Sequence, residues 1–280
     1  AKTFLHFTTK GEILWMTERS GWNHLELHDA AGKLIGPVTK GEWVVRSVER
    51  VDEEKRQVTF KAMGIRPGQD PYHIHLARVN FDGSGLTILT EGDGTHEVVA
   101  SPSGEFLLSG DLMGVVRQWA VESTNDKEIR SFKSEPLHKY EGGQGVDYGG
   151  IRAISFAPDG HAFVTAGLIE ASNPLGAVSN PALMTFDWAS AKASPVIRPK
   201  ADLKGVAWGV VWHPAGFLVM ASGGTGGGHL LFFKPDQTNE FAQLNLTNTA
   251  RSLSAHPDGF RLATAHHDHH VRLVDLRPKA

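Results

Sequence analysis

Six times along the chain a short apolar run enters a tight polar turn and leaves as a second apolar run. The turns read TTKGEIL (Thr8 to Leu14), DEEKRQV (Asp52 to Val58), SPSGEFL (Ser101 to Leu107), APDGHAF (Ala157 to Phe163), HPAGFLV (His213 to Val219) and HPDGFRL (His256 to Leu262). A unit of this kind cannot bury its apolar side alone, so the copies must stack against one another around shared core. The last four turns share the pattern xPxG, and the first two do not.

The turns recur at steps of 44 residues from Gly11 to Lys55, 49 to Gly104, 56 to Gly160, 56 to Gly216 and 43 to Gly259. Blades of four strands occupy roughly 40 to 50 residues, so the spacing predicts an all-β, six-bladed β-propeller of four-stranded antiparallel blades, a single domain over residues 1–280. Innermost strands are expected in TFLHFT, WVVRSVER, HEVVAS, IRAISFA, AWGVVWH and ARSLSAH, where β-branched and aromatic residues alternate with small or polar ones. Third strands are expected in NHLELHD, HIHLARVN, GVVRQWAV, ALMTFDWAS, HLLFFKPD and HVRLVDLR. Outer strands fit GKLIGPVT, GLTILTEG, part of IRSFKSEPLHKYEGG, SPVIRPK and EFAQLNLT. The sixth unit offers no fourth strand, so the last blade is either three-stranded or completed by the first residues of the chain. An open edge there invites weak association of an otherwise monomeric protein.

Composition narrows the partners. The net charge of -3 has no marked run behind it beyond Asp52, Glu53 and Glu54, which argues against nucleic acid and anionic membrane. There is no cysteine, which excludes disulfides and thiolate metal sites. Neither a signal peptide nor an apolar stretch of about 20 residues is apparent, so a soluble chain is expected, its compartment unspecified. No cofactor is expected.

The densest chemical cluster is His266, His267, Asp268, His269, His270. Imidazoles bind zinc, nickel or copper, and His266, His267, His269 and His270 form a candidate metal site. The stronger reading puts Asp268 at a hairpin turn with the histidines on alternating faces, which sends neighbours apart, so no dedicated metal site is expected and only adventitious metal binding there. Gly223, Gly224, Gly226, Gly227 and Gly228 lead into a strand rather than a helix, with His229 where a phosphate-binding loop needs lysine, so a flexible hairpin loop is expected. Two further connections, Leu168 to Ala182 and Gly64 to Tyr72, are long. With the glycine and histidine hairpins they would share one face and offer a protein or peptide partner a concave surface. Most of the seven tryptophans sit in strand patterns and are expected to pack between blades.

Longer stretches carry family resemblances. Through ILWMTERSGWNHLELHD, GKLIGPVTKGEWVV, VDEEKRQVTF and HLARVNFDGSGLTILTEGDGTH, residues 1 to about 95 resemble two blades of the dipeptidyl-peptidase IV N-terminal propeller. From about His96 to residue 280 the chain resembles a bacterial WD-repeat propeller, through SPSGEFLLSGDLMGVVRQW, IRAISFAPDGHAFVTAG, VAWGVVWHPAGFLVMASGG and LSAHPDGFRLATAHHDHHVRLVDL. Together the resemblances imply a hybrid of two blade types meeting around Gly92 to Pro102, engineered or selected from fragments, with a natural fusion as the alternative. The peptidase family keeps its catalytic serine, aspartate and histidine in a separate α/β-hydrolase domain with a G-x-S-x-G elbow, a motif missing from this sequence. Its substrate-gripping glutamates lie in an earlier propeller segment, so Glu18 and Glu26 read as solvated residues. The expectation is a non-enzymatic scaffold with no catalytic residues. The alternatives are a WD-repeat protein- or peptide-interaction module and the propeller fragment of a serine peptidase.

Overall fold

The computed structural model describes residues 4–90, 97–121, 128–173, 179–225 and 227–277. These residues form two compact units, the first built on Ala1–His96 and the second on Glu97–Glu122 and Glu128–Ala280. Both are antiparallel β structure. A single 3-10 turn at Glu135–Leu137 is the only helical element among the described residues, and no helix there is long and apolar enough to cross a membrane.

The first unit holds two four-stranded sheets whose strands follow chain order: β1 (Leu5–Phe7), β2 (Ile13–Thr17), β3 (His24–His28) and β4 (Leu34–Pro37), then β5 (Val44–Asp52), β6 (Gln57–Met63), β7 (Ile74–Asn80) and β8 (Thr87–Ile88). Period-two patterning builds the core. In β6, Val58, Phe60 and Ala62 are buried while Gln57, Thr59, Lys61 and Met63 are only partly so. Phe60 stacks on Trp43 with ring centroids 5.8 Å apart, and the two sheets pool Leu14, Leu25, Val45, Val58 and Val79 in one cluster.

A polar device recurs in both sheets. His24 Nε2 meets the Gly41 carbonyl at 2.9 Å, which leaves Nδ1 of the neutral ring to accept from the Thr39 hydroxyl at 3.0 Å; the same hydroxyl oxygen accepts the Leu25 amide at 2.8 Å. In the second sheet His75 and the Leu76 amide meet the Thr90 hydroxyl at 3.3 and 3.1 Å. The histidine is the first residue of β3 and the second of β7, and the threonine follows the fourth strand, fifteen residues on in both cases. Replacing Thr39 with valine leaves the Leu25 amide without its acceptor and His24 Nδ1 without its donor, and is expected to cost about 1–3 kcal/mol in chemical denaturation, while serine restores most of it. An unchanged midpoint in Thr39→Val would show that the device does not hold the strand.

The two unlike turns also bond to each other. Glu53 accepts the Thr9 amide and hydroxyl at 2.7 and 2.6 Å and pairs with His6 at 2.8 Å, while Arg56 forks onto Glu12 at 2.6 and 2.9 Å. Thr9 and Glu53 are 44 residues apart, as are Glu12 and Arg56, so residues one repeat step apart meet across adjacent sheets. The second turn departs from expectation by one residue. Arg56, not Lys55, takes the left-handed conformation (φ 51) that Gly11 takes in the first (φ 79); four residues separate the paired Asp52 and Gln57, where five separate Phe7 and Ile13.

The Thr9 donors, then His6, hold the Glu53 carboxyl down at about 2 from an ordinary 4.5. A carboxylate depressed in the folded state adds stability above its unfolded value that fades as pH falls from about 4.5 towards 2. Glu53→Gln is therefore expected to flatten the acid limb of the stability profile in that window. Superimposable wild-type and variant profiles would contradict this.

The second unit contains five sheets: β9 (Glu97–Ala100) to β12 (Arg130–Lys133) through β10 (Phe106–Gly110) and β11 (Val115–Ala120); a hairpin of β13 (His138–Glu141) and β14 (Val146–Gly149); β15 (Ala153–Phe156), β16 (Ala162–Ile169) and β17 (Asn180–Asp187); β18 (Val206–Trp212), β19 (Leu218–Gly224), β20 (Gly227–Phe233) and β21 (Glu240–Leu246); and β22 (Ala250–Ala255), β23 (Arg261–His266) and β24 (Val271–Asp275). Among the described residues seven sheets thus stand where the spacing predicts six. The additional one is the β13–β14 hairpin: Arg130–Lys133 supplies the outer strand expected in IRSFKSEPLHKYEGG, and HKYE turns back on VDYG instead.

Two sheets have three strands rather than four. Beside β17 the expected outer strand SPVIRPK is reduced to isolated bridges, Leu183 with Ile197 and Phe186 with Ala193. Pro195 and Pro199 lack the amides a ladder requires. The last sheet ends at β24, where Val271 and Leu273 are 71% and 74% exposed.

The xPxG turns close alike. The glycine amide donates to the carbonyl three residues back at 2.8–3.0 Å, with glycine φ between +73 and +84. Two of them also meet the turn that follows: Pro102 lies against Gly160, and His213 Nε2 donates to the Gly259 carbonyl at 2.7 Å. Beneath them Phe132, Phe156, Phe163, Phe186 and Trp188 form an aromatic cluster in which Phe163 stacks on Phe186 at 4.9 Å.

Candidate functional site

The connections between second and third strands hold the residues that the sequence singles out. In the first unit, the Gly64–His73 connection lies between β6 and β7. Arg66 donates from it to the Thr90 carbonyl at 3.0 Å, Gln69 meets His75 at 2.9 Å, and Tyr72 stands 76% exposed.

In the second unit, the connection expected from Leu168 to Ala182 is shorter at both ends. Leu168 pairs with Pro181 and Ile169 with Asn180, and residues 174–178 lie outside the described residues. The glycine run also departs from expectation. β19 and β20 stay paired as far as Gly224 with Gly227, so what reads as a flexible loop is ladder on both sides of residue 226, itself outside the described residues. A close backbone approach explains the glycines: a Cβ on Gly228 would sit 2.0 Å from the Asn248 carbonyl oxygen, and one on Gly223 would sit 2.7 Å from Thr249.

The four candidate metal ligands have separate surroundings. His266 ends β23 and is 7% exposed; its Nδ1 donates to the Asn248 carbonyl at 2.9 Å and its Nε2 takes the Thr264 hydroxyl at 2.7 Å, so both ring nitrogens are engaged. His267 donates its backbone amide to the Thr249 carbonyl, and His269 adopts φ 65. His270 donates to the Asp268 carbonyl at 2.8 Å and its side chain is 70% exposed. Asp268 occupies the turn, as the pattern predicts. Arg272 grips it at 2.6 and 2.9 Å and holds its carboxyl far below the usual range. Among the described residues no group of three or more His, Cys, Asp or Glu is arranged to hold a metal ion.

The tryptophans divide. Trp43 and Trp119 are buried, the latter donating to Ser109 at 2.8 Å, whereas Trp15 and Trp22 are 47% and 41% exposed because they stand on the outward positions of their strand and turn. Glu26 bonds to both Arg19 and His28, so it is engaged in the sheet rather than simply solvated.

A groove of about 740 Å³ in the first unit was not anticipated. It opens at the opposite ends of the sheets, where first–second and third–fourth strand turns converge. Leu27, Val38, Val79 and Phe81 form its apolar part, and the Glu12–Arg56 fork crosses it with the guanidinium 4.7 Å from the Phe81 ring centre. Lys40 and Lys55 border it, and its lip carries Ile35 and Leu86, 57% and 44% exposed. Its size and mixed lining suit an extended peptide segment or a small molecule. The signal in sequence is faint: apolar residues in GKLIGPVT and GLTILT at outer-strand positions where polar ones are ordinary.

The family model of the dipeptidyl peptidase IV (DPP IV) N-terminal region matches residues 1–110. The match covers the Ala1–His96 part of the first unit, runs beyond the segment 1–95 on which the resemblance was read, and ends at the close of β10. The N-terminal part of this chain is therefore similar to the propeller region of that peptidase family.

Proposed function

We propose that the chain is a non-enzymatic, chimeric propeller scaffold, joining peptidase-type blades to WD-repeat-type blades in one domain and working by holding a protein or peptide partner. One observation carries the non-catalytic reading: imidazoles and hydroxyls of the kind that perform acid–base and nucleophilic work are spent here on tying strands together. His24 with Thr39, His75 with Thr90, and His266 with Thr264 all bond within their own sheets. Two turn dialects support the joined ancestry, side-chain forks in the first unit and xPxG turns in the second, although the family match includes the first xPxG turn, at Ser101 to Gly104. The binding reading rests on the groove and its exposed lip.

Incubation with a fluorogenic Xaa-Pro substrate tests the first half. No turnover above a buffer control is expected, and turnover that scales with protein concentration would overturn the reading. A peptide array tests the second half. Saturable binding lost on Ile35→Asp is expected, and binding indifferent to that change would remove the groove from the account.

A further inference from the structure

Arg152, Trp208 and Arg251 stand at one register of three successive sheets in the second unit. Each lies eight residues before the turn glycine of its sheet, Gly160, Gly216 and Gly259. Two of the three occupy β-bulges. The pairing of β18 with β19 shifts between Ala207 and Gly209, and that of β22 with β23 between Ala250 and Ser252, so Trp208 and Arg251 are the extra residues of their strands. A bulge at a fixed place in successive sheets re-aims a side chain out of the ladder. Here it brings cations to one aromatic ring: the Arg152 guanidinium lies 5.6 Å and that of Arg251 4.4 Å from the Trp208 ring centre.

Neither guanidinium has a carboxylate within ion-pair distance among the described residues. Arg152 is partly buried, donates to the Gly149 carbonyl at 3.1 Å, and keeps its Nε buried without a partner. Burial without a counter-charge pushes its guanidinium pKa down. Other arginines of this unit are neutralised, Arg117 by Asp111, Arg261 by Asp258 and Arg272 by Asp268. A desolvated cation whose only compensation is one carbonyl and an indole face is costly, and an oxyanion forking onto it relieves that cost. The indole N–H is already given to the Gly223 carbonyl at 3.1 Å, which fixes the ring and leaves recognition to the two arginines.

We propose that Arg152 and Arg251, set about Trp208 at the bulged ends of β18 and β22, form an oxyanion-binding site for a phosphate or carboxylate group. The site stands independently of the scaffold reading. Arg251 is exposed and reaches the ligand from outside; Arg152 supplies the buried charge.

Calorimetric titration of the full chain with inorganic phosphate, and separately with citrate, tests it. Saturable heat with phosphate alone identifies a phosphate ligand, with citrate alone a carboxylate ligand, and with both a general oxyanion site; no saturable binding of either overturns the proposal. Arg251→Gln, an exposed change that leaves the unliganded melting temperature in place, is expected to weaken binding about tenfold or more and to abolish ligand-induced thermal stabilisation. Undiminished binding in Arg251→Gln would also overturn it. Arg152→Lys tests the buried partner, since lysine keeps the charge and loses the fork.

Discussion

Phe163→Ala is expected to destabilise the second unit by about 3–5 kcal/mol. The ring is fully buried and touches Phe132, Phe156, Phe186 and Trp188, so four aromatic neighbours lose a wall at once. Its centroid lies 4.8 Å from Phe132 in an edge contact and 4.9 Å from Phe186 in a stack, geometries that add to area burial. The loss should appear as a lower urea midpoint with little change in slope, since the cavity weakens packing and does not alter what unfolding exposes. A cost below about 1.5 kcal/mol, the range of volume-conserving swaps, would mean that the cluster is not the packed centre described here.

Gly150→Ala is expected to be at least as damaging, for a different reason. Gly150 has φ +88, and a Cβ there would fall 2.3–2.5 Å from backbone atoms of Leu112. Gly216 provides the control, with φ +84 and nothing within 4 Å of the same added atom. Backbone strain alone should cost about 1–2 kcal/mol at Gly216. At Gly150 the strain is joined by a clash with main chain that no rotamer can relieve, and the sum should reach about 4 kcal/mol or more. Comparable midpoints for Gly150→Ala and Gly216→Ala would show that Leu112 yields, and that the approach of the β13–β14 hairpin to the β10–β11 turn is looser than it stands.

What the sequence made legible followed from periodicity and turn chemistry. All six first strands and all six third strands lie where alternation places them, because a sheet with buried faces writes a period of two into its residues. The xPxG turns were readable because proline presets its own φ and glycine alone takes the positive φ that closes the turn without strain. The β13–β14 hairpin was not, since HKYE and VDYG are polar strands whose alternation buries little beyond Tyr148. The missing strand in SPVIRPK was foreshadowed by its two prolines.

Less of the candidate site was visible. Asp268 was placed in its turn by pattern alone, but of the two partners of His266 only Thr264 lies on its own strand; Asn248, on another connection, could not be read from spacing. The glycine run misled because glycine serves flexibility and close approach equally well, and only the Asn248 and Thr249 backbone shows which applies. The histidine–threonine device carried a readable signal, the same fifteen-residue interval in both sheets, that polar residues in strands seldom draw notice to.

Affinity selection by mass spectrometry, with a mixed peptide pool incubated against the full chain, tests the scaffold reading most directly because it reports retention and cleavage in one spectrum. Peptides held saturably and recovered at their original masses, with retention lost in Ile35→Asp, are the expected result. Shortened peptides accumulating with time in proportion to protein, or no peptide retained at any concentration, would contradict it.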